Sequence, residues 1–246
     1  MKVVVIGGTG LIGSKVVTRL SQQGHEAVAA APNTGVNTLT GEGLDAALEG
    51  ASVVVDVANS PSFEDAAAME FFQTSTSNVL TAAPKAGVGH YVALSVVGTE
   101  RLPASGYFRA KVAQERLIAS SGVPYTLVHA TQFFEFLDAI ALSSTDGDTV
   151  HIAPVDFQPI AADDVADVVS EVAVGPPLND RIEIAGPDRY RFDELIRALL
   201  RGKDDPRDVV TDPQAPYFGA ELGQESLVPS ENPRLGQRHL REWLVS

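Results

Sequence analysis

Short β-branched and apolar runs alternate with longer stretches in which apolar positions recur every three to four residues. The runs are Lys2–Ile6 (KVVVI), 26–31 (EAVAAA), 52–57 (SVVVDV), 91–94 (YVAL) and 125–128 (YTLV). Such runs suit strands buried on both faces. Between the first two lies a helical pattern with Leu11, Val16, Val17 and Leu20 on its apolar side, ending near Gly24. A short helix is predicted at 43–48, a long one at 63–86, and another at 107–121, stopped by Gly122 and Pro124. Residues 38–40 predict one more short strand. Strict alternation of strand and helix argues for a doubly wound parallel sheet.

The first turn of this pattern carries chemistry. Strand, Gly7-Gly8-Thr9-Gly10-Leu11-Ile12-Gly13, then helix is the order in which glycine spacing signals dinucleotide binding. Gly7 lets the chain leave the strand sharply, Gly10 lets a pyrophosphate approach the backbone, and Gly13 lets the helix pack closely. The free N–H groups of the helix start then face the phosphates, making Thr9, Leu11 and Ile12 cofactor-binding candidates. An acidic residue near the end of the second strand selects NAD, and a basic one suits the 2′-phosphate of NADP. Here Ala31-Pro32-Asn33-Thr34 has neither, and the absence of a carboxylate favours NADP(H) over NAD(H). Asn33 and Thr34 are the neutral hydrogen-bonding candidates, and Lys15 is read as a solvated helix residue. Ala58 and Asn59 end the strand at 52–57 on the sheet edge where open α/β sheets bind ligands. Asp56, inside that strand, is read as structural.

Beyond residue 130 the alternation loosens. An aromatic helix is predicted at 131–142, short strands at 149–152 and 157–160, and a helix at 163–174 whose Asp163-Asp164 start reads as a cap. A late strand at 182–185 joins the main sheet, and a helix spans 191–200. The Pro- and Asp-rich tail ends in an amphipathic turn bearing Leu240, Trp243 and Leu244. With no repeat and no evident linker, residues 1–246 read as one domain. Residues of about 131–160 and 186–246 form its smaller, substrate-side lobe, packed against the sheet. The fold class is thus α/β, a Rossmann-like doubly wound parallel sheet with a small C-terminal substrate-binding region.

Charge and composition narrow the partners. The chain holds 18 Lys and Arg against 32 Asp and Glu, a net charge of −14. It offers no basic field for nucleic acid or an anionic membrane. No apolar run reaches the roughly 18–20 residues of a membrane helix. There is no cysteine, hence no disulfide or thiolate chemistry, and the five histidines lack metal-ligand spacing, so no metal is expected. A cytoplasmic protein acting on a small molecule is expected, as a monomer or homodimer.

Tyr107 and Lys111 (YFRAK) lie one helical turn apart on one face. Ser95 stands 12 residues earlier at a strand end, so the three are expected to converge beside the nicotinamide. A free tyrosine pKa of about 10 is too high for proton exchange near neutrality. A nearby ammonium lowers it, and Tyr107 then serves as general acid toward a carbonyl. Ser95 would hydrogen-bond the developing alkoxide, and Lys111 would also hold the nicotinamide ribose. His129, Phe133 and Phe157 are substrate-contact candidates, with Tyr217 a further one.

These motifs resemble the short-chain dehydrogenase/reductase superfamily, in its atypical, NmrA-like NAD(P)H-binding branch. The resemblance rests on GGTGLIG at 7–13, DVANS at 56–60, LSVVG at 94–98, YFRAK at 107–111, YTLVHATQFFEF at 125–136, PIAADDVADVV at 159–169 and IAGPDRYRFDEL at 184–195. It implies a Rossmann fold, a Ser95–Tyr107–Lys111 triad, and an asparagine match at Asn78. The chain departs at Ala31-Pro32-Asn33, where that branch often has arginine, and at His129-Ala130, where Arg-Pro is common. An NAD(P)(H)-dependent oxidoreductase acting on a carbonyl or alcohol of an apolar small molecule is the leading expectation. The alternatives are a non-catalytic NAD(P)-binding redox sensor of the NmrA type, and an isomerase or lyase with a bound cofactor that is not consumed.

Overall fold

A computed structural model of the chain describes residues 1–230 and 232–245. Its strands are β1 (Lys2–Ile6), β2 (Glu26–Ala30), β3 (Val53–Asp56), β4 (His90–Val96), β5 (Tyr125–Ala130), β6 (Thr145–Asp146), β7 (Thr149–Ile152), β8 (Asp156–Phe157), β9 (Asp180–Ala185), β10 (Tyr190–Arg191), β11 (Asp208–Thr211) and β12 (Arg234–Leu235). The helices are α1 (Leu11–Gln22), α2 (Leu44–Leu48), α3 (Asp65–Ala82), α4 (Gly106–Ser120), α5 (Leu137–Ser143), α6 (Ala162–Val174), α7 (Phe192–Gly202) and α8 (Leu240–Trp243).

Seven strands form one sheet in the order β12-β9-β5-β4-β3-β1-β2, every neighbouring pair parallel. This is the Rossmann-like arrangement that the alternating pattern predicts. Val3, Val4 and Val5 are all fully buried, because successive side chains enter opposite cores. Val3, Val5, Val92 and Val128 pack with Ile12, Val16, Leu20 and the apolar face of α6. Val4, Ile6, Val54, Tyr91 and Ala93 pack with Leu48, Val79 and Ile118 of α2, α3 and α4.

The rest of the chain builds a third core around Phe134, Phe157, Phe192, Ile196, Tyr217 and Leu227. Strands β6, β7 and β11 form a small sheet, and β8 pairs antiparallel with β10. The tail is tied to the main sheet. The Gly236 N–H donates to Ala185 O, and Asp164 accepts from the Gln237 and Arg238 N–H groups.

Several expected elements differ. Residues 38–40 form a turn rather than a strand. The Asn37 side chain accepts from the Leu39 N–H (2.9 Å), and Asn78 donates to the carbonyls of Thr38 and Leu39. Asn78 thereby serves this turn. Residues 131–133 are extended instead of helical, because Ile160 pairs with this stretch: its N–H donates to Gln132 O and its carbonyl accepts from Phe134 N. The long helix starts at Asp65, leaving Phe63 in the preceding loop. The strand expected at 157–160 stops at Phe157, two residues before Pro159. Leu11 is exposed, and Ile12 takes its place in the core. Asp163 and Asp164 do not cap α6, whose N-cap is Ala161. Asp163 pairs with Lys15 and Arg19, and the Ala162 N–H donates to the Glu135 carboxylate. Lys15 is therefore an ion-pair partner rather than a solvated residue.

Candidate active site

The glycine loop is a backbone junction with one face left open. Gly7 has φ +76°, and a Cβ there would meet the Ala58 backbone at 2.9 Å. A Cβ on Gly13 would stand 2.1 Å from Gly7 O and 2.7 Å from Gly8 Cα. These contacts lock the loop between β1, the end of β3 and α1. At Gly10, the N-cap of α1, an added Cβ would meet only Gly7 O at 3.3 Å. No side chain caps α1, so the N–H groups of its first turn remain available to an anion. Thr9 Oγ1 donates to Asn33 Oδ1 (3.0 Å), joining the loop to the end of β2. The Thr34 hydroxyl is spent on local backbone, accepting from the Ala31 N–H and facing the Ala29 and Ala31 carbonyls as donor. The uncapped helix start, the open Gly10 face and Asn33 fit the pyrophosphate and ribose of a dinucleotide. Ile12 faces the core and supports the loop from below.

Tyr107 stands at the same sheet edge. Its hydroxyl donates to Asn59 Oδ1 (3.1 Å), one residue beyond the Ala58 backbone that packs on Gly7. Phe63 and Phe218 flank its ring with centroids at 5.3 and 5.7 Å, and Phe72 lies behind at 5.9 Å. Phe218 has a left-handed backbone (φ +48°), uncommon for an aromatic residue. Burial raises the Tyr107 pKa above that of a free phenol, and the Asn59 contact offsets only part of this. The phenol is therefore a protonated donor across the neutral range.

Lys111 does not tune Tyr107 as the sequence suggests. Its ammonium is 3 % exposed, donates to Leu94 O (3.0 Å) and Gln114 Oε1, and lies 4.5 Å above the Phe72 ring. Burial lowers its pKa to about 8, against the opposing pull of Asp56 and Glu115. Asp56 accepts from Tyr91 Oη (2.8 Å) and Gln114 Nε2 (3.2 Å), so a buried polar network supports the lysine from below. Burial raises the Asp56 pKa, and these partners hold the rise back.

Ser95 and His129 meet each other's partner rather than Tyr107. Ser95 Oγ donates to Glu115 Oε1, and His129 Nε2 lies 3.2 Å from the same oxygen, both beneath α4. Burial disfavours ionised Glu115, but His129, Ser95 and Lys111 outweigh it and hold the carboxyl below its ordinary pKa. Position 95 shares the strand face of Tyr91 and Ala93 with α4, and Glu115, one turn beyond Lys111, captures its hydroxyl there. His129 is correspondingly a core residue. Phe157 is also core, stacked on Phe192 at 4.2 Å. Phe133 is half-buried and stacks on exposed Phe136 at 5.4 Å, near the sheet edge. Sequence reasoning missed Gln114 and Glu115, whose spacing from Lys111 on α4 was the available signal. It also missed Phe63 and Phe218, which no local pattern marks.

A family model described as NAD(P)H-binding matches residues 7–176. The photosystem II assembly factor Ycf39 of Synechocystis sp. (strain ATCC 27184 / PCC 6803 / Kazusa) is 25% identical over 151 residues, covering 56% of this chain and 46% of that protein. The chain thus aligns with about half the length of this relative. Among solved structures, a nucleoside-diphosphate-sugar epimerase from Staphylococcus aureus superposes with TM-score 0.74 at 16% identity, covering 100% of both chains. The NADPH-dependent quinone oxidoreductase QOR2 of Escherichia coli, complexed with NADPH, gives TM-score 0.70 at 18% identity over 99% of this chain and 98% of that one. Similarity at these identities establishes the shared fold. The family match runs from the open glycine loop through α6 and includes the Tyr107 edge. The chain belongs to the NAD(P)H-binding family.

Proposed function

We propose that the protein is an NAD(P)H-dependent reductase of the short-chain dehydrogenase/reductase type, in its NmrA-like branch, acting on the carbonyl of an apolar small molecule. The observation that carries this reading is the placement of the Tyr107 hydroxyl. It projects between Asn59, beside the glycine loop, and an aromatic wall of Phe63 and Phe218. When bound, the reduced nicotinamide supplies a hydride to the carbonyl carbon. Tyr107 gives its phenolic proton to the carbonyl oxygen, leaving a phenolate that solvent reprotonates, and the product is the alcohol. Asn59 orients the hydroxyl through their hydrogen bond. Lys111, one turn along α4, is the candidate for the nicotinamide ribose hydroxyls. The exposed rings of Phe63 and Phe218 offer a flat apolar substrate a surface to stack on.

NADPH is the proposed preference, supported by the lack of any carboxylate in residues 31–34, where Asn33 is held by Thr9. Calorimetric titration with NADPH and with NADH tests this, and tighter NADH binding would reverse it. A panel of aryl ketones and aldehydes, followed by NADPH consumption, tests the chemistry. Tyr107→Phe should lower turnover about 100-fold or more while NADPH still binds. Near-normal turnover in that variant would refute the assignment. The assembly-factor name of the Ycf39 relative favours a second reading, a dinucleotide-binding regulator without turnover. That reading requires NADPH binding with no substrate reduced anywhere in the panel.

A further inference from the structure

Gln132 is the most conspicuous unsatisfied side chain beside the aromatic cluster that holds Tyr107. It is 7 % exposed, yet among the described residues neither its amide nitrogen nor its amide oxygen has a well-aligned hydrogen-bond partner. Buried amides are almost always paired, and leaving one unpaired is costly. The backbone explains how the side chain is trapped there. Gln132 follows β5 directly, and its carbonyl is fixed by the Ile160 N–H (2.8 Å). The amide faces the Tyr217 hydroxyl without forming a well-aligned bond to it. Tyr217 is itself 7 % exposed and packs on Phe108 (6.4 Å) and Phe218 (4.8 Å), the latter stacked on Tyr107. One aromatic cluster therefore holds the Tyr107 proton donor and also, across the Tyr217–Phe218 pair, an amide with a free donor and a free acceptor.

We infer that Gln132, with Tyr217, is a specificity-determining anchor for a second polar group on the substrate, remote from the carbonyl that Tyr107 serves. An amide presenting both N–H and C=O is best matched by a group that both accepts and donates. A hydroxyl does this and a plain ether or hydrocarbon does not. A carboxylate only accepts, and it would enter a protein of net charge −14. The substrate class that fits is a flat ring ketone carrying a hydroxyl on the far side of the ring. This inference rests on the reductase reading above and specifies its substrate. A site built to hydrogen-bond a substrate hydroxyl rejects the analogue lacking it, because its own buried groups then stay unpaired.

The test uses two commercial probes that differ by one oxygen, 1-tetralone and 4-hydroxy-1-tetralone. Each is titrated calorimetrically into the full chain saturated with NADP⁺, which permits binding without reduction. The wild type should bind the hydroxylated ketone about tenfold more tightly than 1-tetralone. Gln132→Met keeps length and apolar volume but removes both amide functions, and it should bring the affinity ratio to about one. Tyr217→Phe should lower the ratio less, because the amide remains. The wild-type comparison needs no variant, so poor folding of Gln132→Met leaves the inference falsifiable. Equal affinity of the two probes for the wild type, binding of neither, or an undiminished ratio in Gln132→Met would each overturn it. Its failure is distinguishable from failure of the reductase reading, which is judged by NADPH consumption and its dependence on Tyr107.

Discussion

Replacing Gly10 by alanine adds one methyl group to the open face of the glycine loop, and replacing Gly13 adds the same methyl to its closed face. At Gly10 the backbone is extended (φ −81°, ψ −176°), a conformation alanine adopts freely, and the new Cβ meets only Gly7 O at 3.3 Å. Alanine is a poorer N-cap than glycine, by something under about 1 kcal/mol. Lower chain entropy in the unfolded state returns about 0.4–1 kcal/mol. The net effect on stability should lie within about 1 kcal/mol, a shift of roughly 2–4 °C at most for a chain of this size. The methyl nevertheless stands where a pyrophosphate must touch the backbone. Losing even one hydrogen bond from the α1 start to a charged phosphate costs about 1.5–3 kcal/mol, so NADPH should bind roughly 10- to 100-fold more weakly. At Gly13 the added Cβ would lie 2.1 Å from Gly7 O, a clash with backbone that cannot rotate away. Overpacking of this kind costs about 1–3 kcal/mol or more, so Gly13→Ala should lose stability and binding together. Thermal unfolding paired with calorimetric NADPH titration separates the two variants. Wild-type NADPH affinity in Gly10→Ala would refute the assignment of this face to the phosphates. An unchanged melting temperature in Gly13→Ala would refute the packing.

Four further outcomes follow from the geometry. The Lys111 pKa is lowered from its unfolded value of 10.5 to about 8, so between about pH 8 and 10.5 the folded state binds fewer protons than the unfolded one. Its contribution to stability therefore rises with pH across that window. Denaturant unfolding at pH 8 and pH 10 should show this rise in the wild type and lose it in Lys111→Met, and a wild-type stability difference retained by the variant would contradict the assignment. Reduction should correspondingly slow above about pH 8, where the ammonium is lost, as a pH–rate profile would show. Asn78→Ala removes both bonds to the 38–39 carbonyls and should cost about 1–2 kcal/mol in unfolding free energy. Glu115→Ala strands the buried Ser95 hydroxyl and His129, and should cost about 2–4 kcal/mol in urea unfolding, with less than 0.5 kcal/mol arguing against the buried cluster.

The elements legible in the sequence are those whose cause is local. The β1 run, the Gly7–Gly10–Gly13 spacing and the i, i+4 pair of Tyr107 and Lys111 each follow from a few adjacent residues. Gly7 and Gly13 take the roles that spacing implies, and Tyr107 reaches the same sheet edge. What was not legible depends on partners distant in sequence. Residues 131–133 carry a helix-like aromatic pattern but are extended by pairing with Ile160. Strands β11 and β12 lie in the Pro- and Asp-rich tail and exist by pairing with β7 and β9. Ser95 has the right position for a triad, but Glu115, 20 residues on, takes its hydroxyl. Lys111 has the right spacing, but Leu94, Gln114 and Phe72 decide where its ammonium rests. Gln132 gives no signal in its stretch of sequence, because only the packed lobe shows its amide without a well-aligned partner among the described residues.

Transfer of deuterium from NADPH deuterated at nicotinamide C4 tests the central claim most directly. The protein would be incubated with each C4 epimer of the labelled cofactor and the aryl ketone panel, and the product alcohols analysed by mass spectrometry. The account predicts deuterium at the carbinol carbon from one epimer only, with the transfer suppressed about 100-fold or more in Tyr107→Phe. Bound NADPH with no deuterium in any product would contradict it and leave the chain a dinucleotide-binding regulator.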